Sequence, residues 1–277
     1  MYKFDCKTSA LFTDFYELTM AQGYWKNNMD CPAVFDMFFR RVPDKGGYAI
    51  MAGLEQAVQY IKDLHFSSDD VEYLRNTNTF SEEFLDYLAN FKFECDVWAV
   101  PEGTPVFPNE PILTVRAPAI QAQFVETFIL LTINHQSLIA TKASRVVQAA
   151  EGGVVMEFGL RRAQGPDAGI YGARAAIIGG CAGTSNVLTG QMYRIPIMGT
   201  HAHSWVMSFP DEITAFRKYA EMFPTSCLLL VDTYDTLRSG VPNAITVFQE
   251  LRARGFEPKG IRLDSGDLAY LSREARK

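Results

Sequence analysis

The run Cys227-Leu228-Leu229-Leu230-Val231-Asp232 is apolar over most of its length and ends in a carboxylate. An uninterrupted apolar run of this length predicts a strand that is buried on both faces, as the strands of parallel sheets are. Three further runs have the same form, each followed by a polar or glycine-rich turn and a helical stretch: Val154–Phe158, Ile195–Gly199 and Gly260–Asp264. This alternation of strand and helix predicts parallel α/β architecture, in either a barrel or an open doubly wound sheet.

The spacing of the runs favours the barrel. They recur at roughly 30 to 40 residues, which is the unit length of a TIM-like (β/α)₈ barrel of about 250 residues. The chain contains only part of the units that a closed barrel needs. We therefore expect an irregular, incomplete β/α barrel whose C-terminal remainder is missing after Lys277.

The part of the chain ahead of these runs mixes helix and strand signals. Apolar residues at helical spacing predict a helix over Gly53–Leu64, and Ser81 is placed to cap a second helix. Alternating and proline-bounded segments predict strands over Phe93–Val100 and Ile112–Val115. These signals together indicate an α+β domain.

A long helical pattern from Gln121 to Ala150, which we expect to be broken near Asn134, joins the two regions. The predicted domains are an N-terminal α+β domain over residues 1–137 and the first part of the barrel over residues 138–277.

Composition excludes several classes of protein. With 277 residues, of which 48% are hydrophobic, the chain can bury a substantial core. The net charge of −6 argues against a broad nucleic-acid surface, which needs clustered Lys and Arg.

The longest apolar run, Phe128–Ile133, is too short for a membrane span, which needs about 20 residues. Met1–Asp5 lacks the pattern of a secretory signal, so we expect a cytoplasmic protein. The five cysteines lack C-x-x-C spacing and are interpreted as free thiols.

Polar groups with catalytic chemistry follow each predicted strand. In a parallel barrel, catalytic side chains lie at the carboxyl ends of the strands. The four segments at these positions are Phe158-Gly159-Leu160-Arg161-Arg162, Gly199-Thr200-His201-Ala202-His203-Ser204, Asp232-Thr233-Tyr234-Asp235 and Asp264-Ser265-Gly266-Asp267. They bring together an aromatic ring, arginines, imidazoles and carboxylates, and they predict an active site at this end of the barrel.

Individually, these residues have more than one interpretation. Asp232 and Asp264 could hold a metal, orient a ribose or fix an imidazole tautomer, but an aspartate at a strand end is equally often a helix N-cap. Arg161 and Arg262 suit a carboxylate or phosphate, because a guanidinium can bind two oxygens at once. Phe158, taken alone, would more often be a core side chain.

The histidine pair leaves a second function open. His201 and His203 form an H-x-H pair, whose rings would point to the same side of a strand and which metal-dependent hydrolases on TIM barrels use as ligands. Only His65 and His135 remain elsewhere, both in the predicted first domain. A metal hydrolase therefore stays as an alternative with an incomplete ligand set.

Six segments, in order along the whole chain, resemble the nicotinate phosphoribosyltransferase family. They are Thr13–Met20, Phe38–Pro43, Glu157–Arg162, Gly183–Val187, Gly199–Ser204 and Arg262–Asp267. The resemblance implies a type II phosphoribosyltransferase fold, in which an α+β domain precedes an irregular barrel, and a homodimer with shared active sites. It implies a reaction of nicotinate with phosphoribosyl pyrophosphate, assisted by ATP and Mg²⁺.

The resemblance also implies roles for single residues. Those that contact substrate would be Tyr16, Phe158, Arg161, Ser185, Thr200, Ser204 and Arg262, and those that bind the phosphates of the donor or ATP would be Arg40 and Arg41. Tyr16 would reach across from the neighbouring subunit and stack on the pyridine ring opposite Phe158. His203 would be phosphorylated by ATP and oriented by Asp232, and Asp264 would bind the ribose of the donor or its magnesium.

Ser185 bears on the choice of substrate. The related nicotinamide enzymes carry an aspartate at the matching position, which accepts a hydrogen bond from a carboxamide but repels a carboxylate. A serine is therefore expected to favour nicotinate. Because the family is longer than this chain, a non-catalytic fragment remains a third interpretation.

Overall fold

The computed structural model describes residues 9–277, so Cys6 and the segment Met1–Asp5 lie outside the described residues. The helices are α1 (Phe15–Lys26), α2 (Leu54–Asp63), α3 (Ser68–Asn76), α4 (Glu82–Ala89), α5 (Ala119–Phe124), α6 (Glu126–Ala149), α7 (Pro166–Ile178), α8 (Val187–Tyr193), α9 (His203–Met207), α10 (Glu212–Met222), α11 (Val241–Ala253) and α12 (Leu268–Arg276). The strands are β1 (Pro32–Met37), β2 (Ala49–Ile50), β3 (Asp96–Ala99), β4 (Pro105–Val106), β5 (Leu113–Pro118), β6 (Met156–Glu157), β7 (Gly183–Thr184), β8 (Leu228–Leu230) and β9 (Gly260–Arg262). The protein is thus of the mixed helix and strand class.

The described chain divides into two compact units. We call the part up to Met198 the N-terminal unit and Gly199–Lys277 the C-terminal unit. The division comes after the predicted domain boundary at residue 137, which lies inside α6.

An antiparallel sheet of order β1-β5-β3 and the helices packed on it form the first core of the N-terminal unit. Phe66, Phe91 and Phe124 meet in this core with ring centroids 5.4–5.6 Å apart and near-perpendicular planes. Edge-to-face contact adds to the free energy gained by burying the rings. The predicted α+β character of this region is confirmed, and so are the helix after Gly53 and the two strands.

Two helix predictions need correction. The helical pattern from Gln121 is interrupted at Val125, between α5 and α6, and α6 runs through Asn134 without a break. The prediction of a break near Asn134 was therefore wrong. The sequence reading also passed over α3, although Ser67 and Asp70 form a capping box in which each side chain binds the other's backbone amide.

Parallel pairing occurs in both units. In the N-terminal unit β6 pairs with β7, and in the C-terminal unit β8 pairs with β9, both in parallel. The predicted strand over Ile195–Gly199 is reduced to one isolated parallel bridge between Thr184 and Ile197. Among the described residues the strands form no closed barrel.

A half-buried ion pair joins three elements of the N-terminal unit. Arg174 on α7 donates from its two terminal nitrogens to the two oxygens of Glu102, at 2.9 and 2.6 Å. Glu102 also accepts from the amides of Gly53 and Leu54, at 2.6 and 3.0 Å, and so binds the first turn of α2. Arg174 further contacts Gln136 on α6 at 3.3 Å. The position of α7, which follows the predicted substrate loop, is therefore tied to α2 and α6.

Residues 9–277 contain four of the cysteines and all of the helices that the structure describes. Cys31, Cys95, Cys181 and Cys227 are free thiols in this part of the chain, as expected, and the last two are buried. No described helix combines the length and hydropathy that crossing a bilayer requires.

Glu17 is a fully buried carboxylic acid on α1. One oxygen accepts a hydrogen bond from the Thr127 hydroxyl at 3.0 Å, while the other has no partner. Burial raises the pKa of Glu17 to about 7, with the neighbouring carboxylates of Glu126 and Asp14 adding to the shift. In the unfolded chain its pKa returns to the ordinary value of 4.5. The folded state therefore binds a proton that the unfolded chain releases between these two pH values.

We predict that Glu17→Gln stabilises the protein at high pH only. As pH rises from below 4.5 through 7, ionisation of Glu17 removes up to about 3 kcal/mol from the free energy of unfolding. The amide cannot ionise, so urea unfolding should show a gain at pH 8.5 that disappears at pH 4.5. The exposed Glu72→Gln is the control and should change little at either pH. An equal loss of stability at both values would contradict the role assigned to ionisation.

Candidate active site

In the C-terminal unit, the loop after β8 and the loop after β9 meet around Asp232. The side chain of Asp232 is 2% exposed, and its Oδ1 lies 3.2 Å from Nε2 of His203. Its Oδ2 accepts from the Ser265 hydroxyl at 2.7 Å and from the amide of Asp264 at 2.8 Å. The structure thus brings together His203, Asp232 and Asp264, three of the residues predicted for the site.

The carboxylate of Asp232 is held in its ionised form. Burial opposes ionisation, but the hydrogen bonds from Ser265, the Asp264 amide and His203 outweigh it and lower the pKa of Asp232. An ionised carboxylate only accepts hydrogen bonds, so Nε2 of His203 must carry the proton. The ring of His203 is about one-third exposed, and no described residue hydrogen-bonds its Nδ1. The available lone pair of His203 is therefore on Nδ1.

His201 has a different environment from His203. It is buried, its ring lies edge-on to Tyr219 at 4.6 Å, and its Nε2 accepts from the Leu230 amide at 3.2 Å. Burial lowers the pKa of His201, so the ring is neutral at neutral pH. His201 thus has a structural role, because it accepts the hydrogen bond of a backbone amide at the end of β8.

The Nε2 atoms of the H-x-H pair therefore have different hydrogen-bond partners. That of His203 faces Asp232, and that of His201 accepts from the Leu230 amide. Over residues 9–277, no group of three or more His, Cys, Asp or Glu side chains is placed to hold a metal ion. The geometry does not favour the metal hydrolase.

Arg262, at the end of β9, is positioned by Thr200. Its Nη1 donates to the Thr200 hydroxyl at 2.9 Å, and its Nη2 lies 3.8 Å from Asp264. The buried Nε of Arg262 has no partner. Ser204, on α9, is exposed. This arrangement leaves a guanidinium N–H and a hydroxyl for an anionic or hydroxyl-rich ligand.

In the N-terminal unit, Glu157 fixes the loops that carry Phe158 and Ser185. Its carboxylate accepts from the amide of Gly159 and, at 2.5 Å, from the Thr184 hydroxyl. Its carbonyl accepts from the amide of Ser185 at 3.0 Å. The ring of Phe158 is left 42% exposed, so the core interpretation of this residue was wrong. An exposed phenyl face next to a polar loop suits stacking with an aromatic ring.

The other predicted residues of the N-terminal unit are spread over its surface. Arg161 lies on the 3₁₀ turn Leu160–Arg162 and is exposed, as are Arg40 and Arg41. Neither Arg40 nor Arg41 forms an ion pair with any residue in 9–277. Tyr16, on α1, is 47% exposed, and within the described chain its ring does not contact Phe158.

Sequence reading missed two supporting residues, Glu157 and Ser265. Glu157 lies in the segment Glu157–Arg162, whose resemblance implies roles only for its neighbours Phe158 and Arg161. Ser265 lies in the segment Asp264–Asp267, for which the sequence predicts no role of the serine. A carboxylate one residue before a strand end, and a hydroxyl one residue after another, are the available signals. Neither signal names its partner, because the partners come from other strands.

Comparison with known proteins shows which family this chain resembles. The model of the nicotinate phosphoribosyltransferase N-terminal domain matches residues 11–134, and that of the nicotinate phosphoribosyltransferase family matches residues 154–275. The nicotinate phosphoribosyltransferase of Bacillus subtilis is 48% identical over the whole of this chain, and one from Mycobacterium tuberculosis is 50% identical over 96% of it. These alignments cover 56% and 57% of the two relatives, so the chain spans little more than half of their length.

Among solved structures, human nicotinic acid phosphoribosyltransferase superposes with a TM-score of 0.86 at 35% identity. The match covers 95% of this chain and 63% of the human one.

We predict that Thr184→Val costs about 1 to 3 kcal/mol of unfolding free energy. The buried Thr184 hydroxyl donates to Oε2 of Glu157 and accepts from the Asn186 amide at 3.0 Å, and valine removes both hydrogen bonds. Urea unfolding measures the loss. The equally buried Thr189, whose hydroxyl makes one 3.4 Å bond to the Ile170 carbonyl, gives the matched control Thr189→Val. Equal losses in the two variants would contradict the role assigned to the two hydrogen bonds of Thr184.

Proposed function

The chain belongs to the nicotinate phosphoribosyltransferase family, and we propose that the protein joins nicotinate to phosphoribosyl pyrophosphate with the help of ATP. In this reaction the ring nitrogen of nicotinate bonds to the anomeric carbon of the donor as the bond to pyrophosphate breaks. ATP and water give ADP and phosphate alongside it. The observation that carries the proposal is the His203–Asp232 pair at the end of β8, with Nδ1 of His203 available.

We propose that His203 accepts the γ-phosphoryl group of ATP on Nδ1. Asp232 holds the proton on Nε2, so the lone pair on Nδ1 attacks phosphorus while ADP leaves. The charge of Asp232 stabilises the positive charge that develops on the ring. Water later attacks the phosphorus and releases phosphate, which returns His203 to its starting form. This cycle would couple ATP hydrolysis to donor binding and product formation.

Asp264 is the residue best suited to the donor's ribose or its magnesium ion. It is exposed, and among the described residues only Arg262 lies near its carboxylate, whereas both oxygens of Asp232 are already occupied. Mg²⁺ prefers such oxygen ligands together with phosphate oxygens and would neutralise charge on the leaving pyrophosphate. Thr200, Ser204 and Arg262 are proposed to contact substrate beside it.

Phe158 is proposed to stack on one face of the pyridine ring, with Arg161 near the ring and donor. Tyr16 is exposed and does not contact Phe158 within the described chain, which supports its delivery from a second subunit of a homodimer. Its hydroxyl remains protonated, since burial and the charges of Glu126 and Glu17 raise the pKa of Tyr16. Arg40 and Arg41 would reach the donor or ATP phosphates across the same interface.

The parallel pairs β6–β7 and β8–β9 support assignment of the region after residue 137 to an irregular β/α barrel.

Phosphorylation of His203 is tested with γ-labelled ATP on the full-length protein. We expect acid-labile label in wild type and in His201→Gln, which keeps an acceptor for the Leu230 amide. His203→Ala should take up none. The phosphorus NMR signal of the labelled protein should identify Nδ1 as the phosphorylated atom. Label retained in His203→Ala, or attachment to Nε2, would refute the assignment.

The role of Ser185 gives a specificity prediction. Ser185→Asp places a negative charge near the predicted carboxylate of nicotinate, and two like charges about 4 Å apart at a protein surface cost enough for at least about a tenfold effect. The ratio of kcat/KM for nicotinate to that for nicotinamide should fall by this factor in the full-length protein. Ser185→Ala, which adds no charge, is the control. An unchanged ratio in Ser185→Asp would remove Ser185 from the specificity site.

A further inference from the structure

The loop after β9 contains a hydroxyl, that of Ser265, which hydrogen-bonds Asp232. Ser265 donates to Oδ2 of Asp232 at 2.7 Å, on the carboxylate whose Oδ1 faces His203. The Asp264 amide donates to the same Oδ2 at 2.8 Å. Two donors from one loop therefore fix the plane of the carboxylate that meets the imidazole.

The contact between Oδ1 of Asp232 and Nε2 of His203 is already long for a hydrogen bond to a carboxylate. Charge-assisted N–H···O bonds are about 2.7 to 2.9 Å long, whereas Nε2 of His203 lies 3.2 Å from Oδ1 of Asp232. A small rotation of the carboxylate would lengthen this contact further. With the Ser265 hydroxyl removed, the single amide of Asp264 is left to resist that rotation.

The rest of the loop holds Ser265 in place. Gly266 has φ of 76°, in the left-handed region that a β-carbon disfavours. Asp267 accepts from the Tyr270 amide at 2.9 Å and caps α12. The hydroxyl is thus held between a tight turn and a helix cap. Because Ser265 itself is exposed, removing its hydroxyl opens no cavity in the core.

We propose that Ser265 is a positioning residue, which acts through Asp232 to hold the Nε2–H tautomer of His203 and so to keep Nδ1 ready for the phosphoryl group. The proposal rests on the proposed function of His203 for its catalytic consequence, and on the hydrogen bonds alone for its effect on the imidazole.

The test compares Ser265→Ala, Ser265→Thr and wild type in the full-length protein. The first readout is the pair of ring ¹⁵N signals of His203, assigned with His203→Gln and recorded at a pH where the ring is neutral. In wild type the two signals should be well separated, as for a single Nε2–H tautomer. In Ser265→Ala they should move towards each other. The second readout is the rate of label transfer from γ-labelled ATP, which should fall about tenfold.

Ser265→Thr keeps the hydroxyl and should restore both readouts. Ser272→Ala is the matched control, because its hydroxyl is exposed and, within residues 9–277, bonds only the Ala269 carbonyl on α12, at 3.2 Å. Ring signals in Ser265→Ala that match those of wild type would overturn the proposal. Shifted ring signals in a protein whose wild type takes up no label would uphold the positioning role and refute the proposed function, so the two failures are distinct.

Discussion

A carboxylate that leaves water must be hydrogen-bonded or paired with a cation, and both units are organised around that constraint. In the N-terminal unit, Glu102 accepts from Arg174 and two backbone amides, while Glu157 accepts from an amide and from Thr184. In the C-terminal unit, Asp232 accepts from a hydroxyl, an amide and an imidazole. Each carboxylate draws together segments that are distant in sequence.

These contacts matter because the site residues lie on loops. Phe158 and Ser185 follow short strands and have little apolar core to hold them. The hydrogen bonds of Glu157 fix the positions of these two loops instead. Asp232 does the same for the loop of His203 and the loop of Asp264. Glu17 is the contrasting case, since one of its oxygens is buried without a partner and its pKa rises to about 7.

The sequence predicts the elements better than their contacts. The apolar run Cys227–Val231 locates β8, because a buried strand needs apolar side chains on both faces. The break in the long helix occurs at Val125, where no glycine or proline marks it, because tertiary packing decides the position. Four strand ends and the family resemblance located His203 and Asp232 in sequence. The bonds of Ser265 and Glu157 join residues 33 and 27 positions away from them, which no local pattern encodes.

The histidine pair illustrates why such contacts decide chemistry. In sequence, His201 and His203 are equivalent members of an H-x-H motif, and metal ligation is a reasonable interpretation of both. In the fold, a backbone amide donates to Nε2 of His201, so that nitrogen is an acceptor, whereas a buried carboxylate faces Nε2 of His203, so that nitrogen is a donor. The two rings therefore have opposite tautomers, with the free lone pair on Nδ1 of His203 alone. A nucleophilic role is consistent with His203 and inconsistent with His201. The difference arises from β8 and the loop after it, which supply the two partners within three residues, at Leu230 and Asp232.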